Sequence, residues 1–121
     1  MPPVIQIKRA YDAPAKTDGI RILVDRLWPR GITKEKAAIK QWAKDLAPST
    51  ELRQWFHHET PHWPEFEKRY KAELKQNHEA IEAFREQYRE AKHLTLVYSA
   101  KDEEHNQAVV LKDYLDGLFK D

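Results

Sequence analysis

Arg26, Trp28 and Arg30 stand at alternate positions just after the apolar run Ile22-Leu23-Val24, with Asp25 between them and the run. Guanidinium groups are planar, forked and permanently charged, so a pair of them suits a phosphate or carboxylate better than lysines would. An indole between them can stack on a ring or on a guanidinium. The competing reading is architectural: Trp28 packs into the core, while Arg26 and Asp25 pair with neighbouring loops to hold the strand end. A second constellation is Tyr98-Ser99-Ala100-Lys101-Asp102-Glu103-Glu104-His105-Asn106. Ser99, His105 and an acid such as Asp25 have the types needed for nucleophile, base and orienting group. The Gly-x-Ser-x-Gly turn that would expose such a serine is absent, which favours His105 or a carboxylate acting alone as acid or base. Lys101, Asn106 and Arg9 complete the polar set as ligand-binding candidates.

A third group, His57-His58-Glu59 with His62, has enough nitrogen and oxygen for a metal. His58 and His62 have the i, i+4 spacing of helical zinc ligands, but Pro61 argues that no helix runs through them. These histidines therefore read as loop residues, and no metal or other cofactor is assigned.

The elements that must position these residues can be read from periodicity. Val4–Ile7, Ile20–Val24 and Leu94–Tyr98 are short, apolar and β-branched or aromatic, as strands are. Pro14 and Asp18-Gly19 mark a loop between the first two. Thr33 caps a short helix through Ile39, and Ile39, Trp42 and Leu46 recur at roughly helical spacing, with an edge strand as the alternative. Ser49 caps a helix carrying Leu52, Trp55 and Phe56. After Pro61 and Pro64, either of which fits a first helical turn, the stripe Phe66, Tyr70, Leu74 continues as Ile81, Phe84, Tyr88, Ala91. Asn77 either separates two helices there or lies within one. Asp102 is expected to cap a last helix with the stripe Ala108, Leu111, Leu115, Leu118. In that case Asp102, Glu103 and Glu104 fill its first turn, complement the helix dipole and repel a phosphate. Lys101 and the arginines must then do most of the holding.

A long helical crossover between the second and third strands implies that they run parallel. Their carboxyl ends then share one rim, where open α/β sheets bind ligands. The fold expected is α/β: a small, mainly parallel sheet of three or four strands flanked by helices, in one domain over residues 1–121.

Composition narrows the function classes. With 21 Lys+Arg against 20 Asp+Glu the charges nearly cancel, which counts against a broad nucleic-acid face. The absence of cysteine removes disulfides, thiolate nucleophiles and cysteine-ligated zinc. Met1 to Lys8 has no apolar segment of signal-peptide length and no run approaches membrane-spanning length, so a cytoplasmic protein without a membrane partner is expected.

The chain resembles the YeaO-like proteins, bacterial members of domain of unknown function family 488. The resemblance rests on Ile7-Lys8-Arg9, Val24 through Gly31, Leu46-Ala47-Pro48-Ser49, Leu52 through Phe56 with His58, Arg69-Tyr70, and Lys101 through Asn106. It implies the single-domain α/β fold and brings no established activity. Many broader members carry a cysteine, a glutamate and a Cys-His-Arg run around the third strand and the next helix. The corresponding positions here are Tyr98, Ala100 and Asn106-Gln107-Ala108, so thiol or metal chemistry does not carry over. Arg26, Trp28, Arg30, Lys101 and His105 are retained.

These observations favour binding of a small anionic ligand, a nucleotide or phosphorylated metabolite, at the strand ends, with turnover as an extension of that reading. A nucleic-acid accessory protein is the second reading. A non-catalytic domain presenting the helices from Glu65 to Ala91 to a partner is the third. Nothing in the sequence sets the oligomeric state.

Overall fold

A computed structural model describes residues 2–57 and 59–120 of the chain. Four parallel strands form one sheet in the order β1-β4-β2-β3: β1 Val4–Arg9, β2 Ile20–Leu23, β3 Gln41–Trp42 and β4 His93–Tyr98. β4 lies inside the sheet, and Leu94 through Tyr98 are all buried. Burial on both faces explains why this strand is apolar apart from Thr95 rather than alternating, and the Thr95 hydroxyl is satisfied by donating to the Asp18 carbonyl at 2.6 Å.

The two faces carry unequal layers. Ile22, Val24, Leu94, Leu96 and Tyr98 enter the main core. That core is completed by α2 Thr50–Phe56, α3 Trp63–Gln76, α4 His78–Tyr88 and α5 Gln107–Phe119. The stripes Phe66/Tyr70/Leu74 and Ile81/Phe84/Tyr88 are the buried faces of α3 and α4. Leu23 and Val97 point the other way, into a small cluster with Ala10, Ala37 and Ile39, against which Trp28, Ile32 and Trp42 pack. The short α1, Lys34–Ala37, is capped by the Thr33 hydroxyl, which accepts from the Lys36 N–H at 3.2 Å.

Asn77 separates α3 from α4, and its side chain donates to the Asp45 carbonyl at 2.8 Å. Pro64 lies in the first turn of α3, where its missing N–H costs no helical bond.

Two expectations are corrected. The helical spacing of Ile39, Trp42 and Leu46 is not a helix: β3 runs here, followed by a 3-10 turn at Lys44–Leu46. The ladder to β2 decides it, with the Lys40 and Ala43 N–H groups donating to Arg21 and Leu23 carbonyls, each at 2.8 Å. Nor does Asp102 cap the last helix. Its Oδ1 accepts the Glu104 and His105 N–H groups, both at 2.9 Å, which closes a local turn upstream. Asn106 caps α5 instead, accepting from the Val109 N–H at 3.2 Å. The three acids therefore precede the helix, and its first turn carries no acidic residue.

Candidate functional site

Beyond the carboxyl ends of β2 and β4 lies a cleft of about 650 Å³, within the usual range for a small-molecule site. One wall is the loop after β2, supplying Asp25 through Arg30, and Tyr11 after β1 lines the cleft as well. The other wall is α2, supplying Thr50, Arg53, Gln54 and His57. Thr50, Arg53 and Gln54 follow the i, i+3, i+4 spacing of one helical face and His57 follows them as the left-handed C-cap, while Leu52 and Phe56 are buried in the core. Ser99, Asn106 and Gln107 come from the end of β4 and the start of α5.

Asp25 organises this rim. Its Oδ2 accepts both the Ser99 backbone N–H at 3.0 Å and the Ser99 hydroxyl at 2.6 Å, and its Oδ1 accepts from the Gln107 amide. Its carbonyl also receives the Trp42 indole N–H at 2.7 Å. Burial pushes its carboxyl above the ordinary carboxylate value, an effect that the Ser99 and Gln107 bonds and the nearby Arg53 charge only partly offset.

The three cleft arginines differ in what they hold. Arg26 is half-buried and spends Nε on the Pro48 carbonyl at 2.9 Å and Nη2 on the Ala47 carbonyl at 3.4 Å. It therefore ties β2 to the segment before α2, as well as lining the cleft. Arg30 is exposed and Arg53 half-buried. Among the described residues, neither guanidinium has a hydrogen-bond or ion-pair partner. Trp28 combines roles: it lines the cleft, its indole donates to the Ile32 carbonyl at 2.6 Å, and it meets Trp42 edge-on at 5.5 Å.

Other candidates are placed elsewhere. Arg9, Lys101 and His105 do not line this cleft. Arg9 donates to the Ala100 carbonyl at 2.9 Å and lies over the Tyr11 ring at 5.2 Å. Lys101 is exposed. His105 Nδ1 lies 3.0 Å from Asp102 Oδ2, and its ring meets Trp63 edge-on at 5.2 Å. The Glu104 N–H, together with the His105 contacts, holds the Asp102 carboxyl below its ordinary value. Ser99 and His105 thus engage different aspartates and are not assembled as nucleophile and base. Asn106 lines the cleft, but its side chain is committed to the α5 cap and to the Asp102 carbonyl at 2.8 Å.

Of the three histidines considered for metal, His57 lines the cleft, His62 stacks on Trp55 at 4.7 Å, and His58 lies outside the described residues. Among the described residues no group of three or more His, Asp or Glu side chains is placed to share a metal ion. Nor is any helix among them long and apolar enough to cross a membrane.

Thr50, Arg53, Gln54, His57 and Gln107 were missed as cleft residues from the sequence. For Thr50, Arg53 and Gln54 the signal existed: polar residues at helical spacing beside the apolar Leu52 and Phe56.

The chain is 48% identical over 114 residues to the uncharacterized protein YeaO of Escherichia coli (strain K12), covering 94% of this chain and 98% of that protein. It is 46% identical over 70 residues to the uncharacterized protein Rv3073c of Mycobacterium tuberculosis (strain H37Rv), covering 58% of this chain and 59% of that one. No solved structure matches. The family profile described as the inactive DUF488-N3 subclade matches residues 4–121, and the chain belongs to that family.

Proposed function

We propose that the cleft binds a small anionic ligand, a nucleotide or a phosphorylated metabolite, and holds it without turnover. The observation that carries this reading is that the Arg30 and Arg53 guanidiniums, which have no hydrogen-bond or ion-pair partner among the described residues, line one cleft with Arg26. Asp25 is the sole carboxylate among the described residues lining it, and its oxygens are occupied by Ser99 and Gln107. A cleft with this charge balance favours an anion, which a forked guanidinium grips through two parallel bonds.

Binding is favoured over chemistry for two reasons. The subclade is described as inactive, and the groups nearest to a catalytic set, Ser99 and Asp25, already satisfy each other. A cytoplasmic setting suits such a ligand and agrees with a chain that has no cysteine.

The test is calorimetric titration with nucleotides and sugar phosphates, using the wild type, Arg30→Ala and Arg53→Ala. A saturable heat that weakens about tenfold or more in folded Arg53→Ala is expected, since a charge-assisted bond contributes about 1.5–3 kcal/mol. No heat with any phosphate compound from folded wild type would end this reading. Binding confined to long DNA or RNA, falling steeply with salt and indifferent to a terminal phosphate, would replace it with a nucleic-acid role.

A further inference from the structure

The same cleft has an apolar rim beside its cationic lining, and the combination narrows the ligand. Three large hydrophobic side chains stand out as exposed among the described residues, and two of them, Tyr11 at 47% and Leu27 at 62%, line this cleft. Solvent-facing apolar groups gathered at a concave site mark a surface that meets a partner. Tyr11 is also held in place: its hydroxyl donates to the Arg30 carbonyl at 2.9 Å, and the Arg9 guanidinium lies over its ring at 5.2 Å. A ring fixed by a hydrogen bond and backed by a cation is a stacking platform that loses little freedom on binding.

We infer that the ligand is a nucleoside monophosphate unit, with its base against Tyr11 and Leu27 and its phosphate at the arginines. The inference rests on the anionic-ligand reading of this cleft. It differs from that reading by requiring a flat ring as well as a charge. Such a unit arises either as a free mononucleotide or as the phosphorylated end of a single strand, and both present the same base and phosphate.

Calorimetry with adenosine 5′-monophosphate, ribose 5-phosphate, adenosine and a 5′-phosphorylated trinucleotide tests it. The expected result is that the monophosphate, the trinucleotide or both bind about tenfold or more tightly than ribose 5-phosphate, as one base on one aromatic ring should produce. Which of the two binds identifies the source. Tyr11→Ala should erase that margin, and Tyr11→Phe, which keeps the ring but loses its tether to the Arg30 carbonyl, should retain part of it. If ribose 5-phosphate binds as well as the nucleotide, or Tyr11→Ala keeps the full margin, ring recognition is overturned while the anionic reading stands. If none of the phosphate compounds binds, both fail together.

Discussion

Ser99 donates its backbone N–H and its hydroxyl to the same carboxylate oxygen of Asp25, at 3.0 and 2.6 Å. This one acid joins the end of β2 to the end of β4 and, through Gln107, to the start of α5. The relationship answers the chemical question raised by Ser99. Its hydroxyl is a donor to a structural carboxylate, and among the described residues no histidine bonds to it.

A pH prediction follows from the direction of the Asp25 shift. Its carboxyl is raised above the ordinary value of 3.8, so the folded state holds this proton more tightly than the unfolded chain. That contribution to stability is fully present below 3.8 and is lost as pH climbs through the raised value. Asp25→Asn keeps an oxygen for Ser99, and a turned Gln107 amide can meet its NH2. Urea unfolding between about pH 4 and 7 should show the variant gaining on the wild type as pH rises. A difference that does not vary with pH would contradict this assignment.

Arg26 and Arg30 should separate in a stability measurement. Arg26→Ala leaves the Pro48 and Ala47 carbonyls without their donor, and should cost about 1–3 kcal/mol by denaturant unfolding. Arg30→Ala removes an exposed side chain whose guanidinium has no partner among the described residues, and should stay within about 0.5 kcal/mol of wild type. Equal losses would mean that both arginines serve architecture.

On the smaller face of the sheet, Asp18 and Arg21 form a buried pair, 2% and 3% exposed, at 2.7 Å. Lys8 reaches the same carboxylate at 3.2 Å, and Arg21 Nε donates to the Ala37 carbonyl at 2.7 Å. Burial alone would raise the Asp18 carboxyl, but the Ala15 N–H, Arg21 and Lys8 outweigh it and hold it below the ordinary value. The stability this supplies is present above 3.8 and lost as pH falls through the depressed value. Asp18→Ala strands the Arg21 charge in the interior and should cost about 3–5 kcal/mol by urea unfolding at neutral pH. A loss below about 1 kcal/mol, the level of an exposed pair, would contradict the burial argument.

Gly19, next to that pair, should resist substitution for a separate reason. Its φ is +64°, and a Cβ there would come within 2.4 Å of the His93 carbonyl oxygen. Because that obstacle is backbone of the neighbouring strand, Gly19→Ala should destabilise by more than the roughly 1 kcal/mol usual for a left-handed position alone. Thermal unfolding of the variant checks this, and an unchanged midpoint would contradict it.

Much of the fold was legible because strands buried on both faces and helices with one apolar stripe leave distinct periods in the chain. β3 was legible only as the edge-strand alternative, since a two-residue strand has no period and its pairing depends on Arg21 and Leu23 carbonyls about twenty residues earlier. Asp102 and Asn106 are both able to cap a helix, and only the turn closed by Asp102 decides between them. At the site, Arg26 and Arg30 look alike in sequence. The Ala47-Pro48 segment separates them by offering carbonyls to Arg26. Arg53 was visible as part of a polar helical stripe, but which loop that stripe would face is a tertiary fact.

The proposed anion site requires Arg53 and Arg30 to be available to the ligand. It is tested most directly by following the arginine side-chain Nε–Hε signals by NMR as adenosine 5′-monophosphate is added. Saturable shifts at Arg53 and Arg30, with Arg21 unmoved between Asp18 and Ala37, are the predicted result. A folded protein whose Arg53 and Arg30 signals stay still up to millimolar ligand, or move no more than that of Arg21, would contradict it.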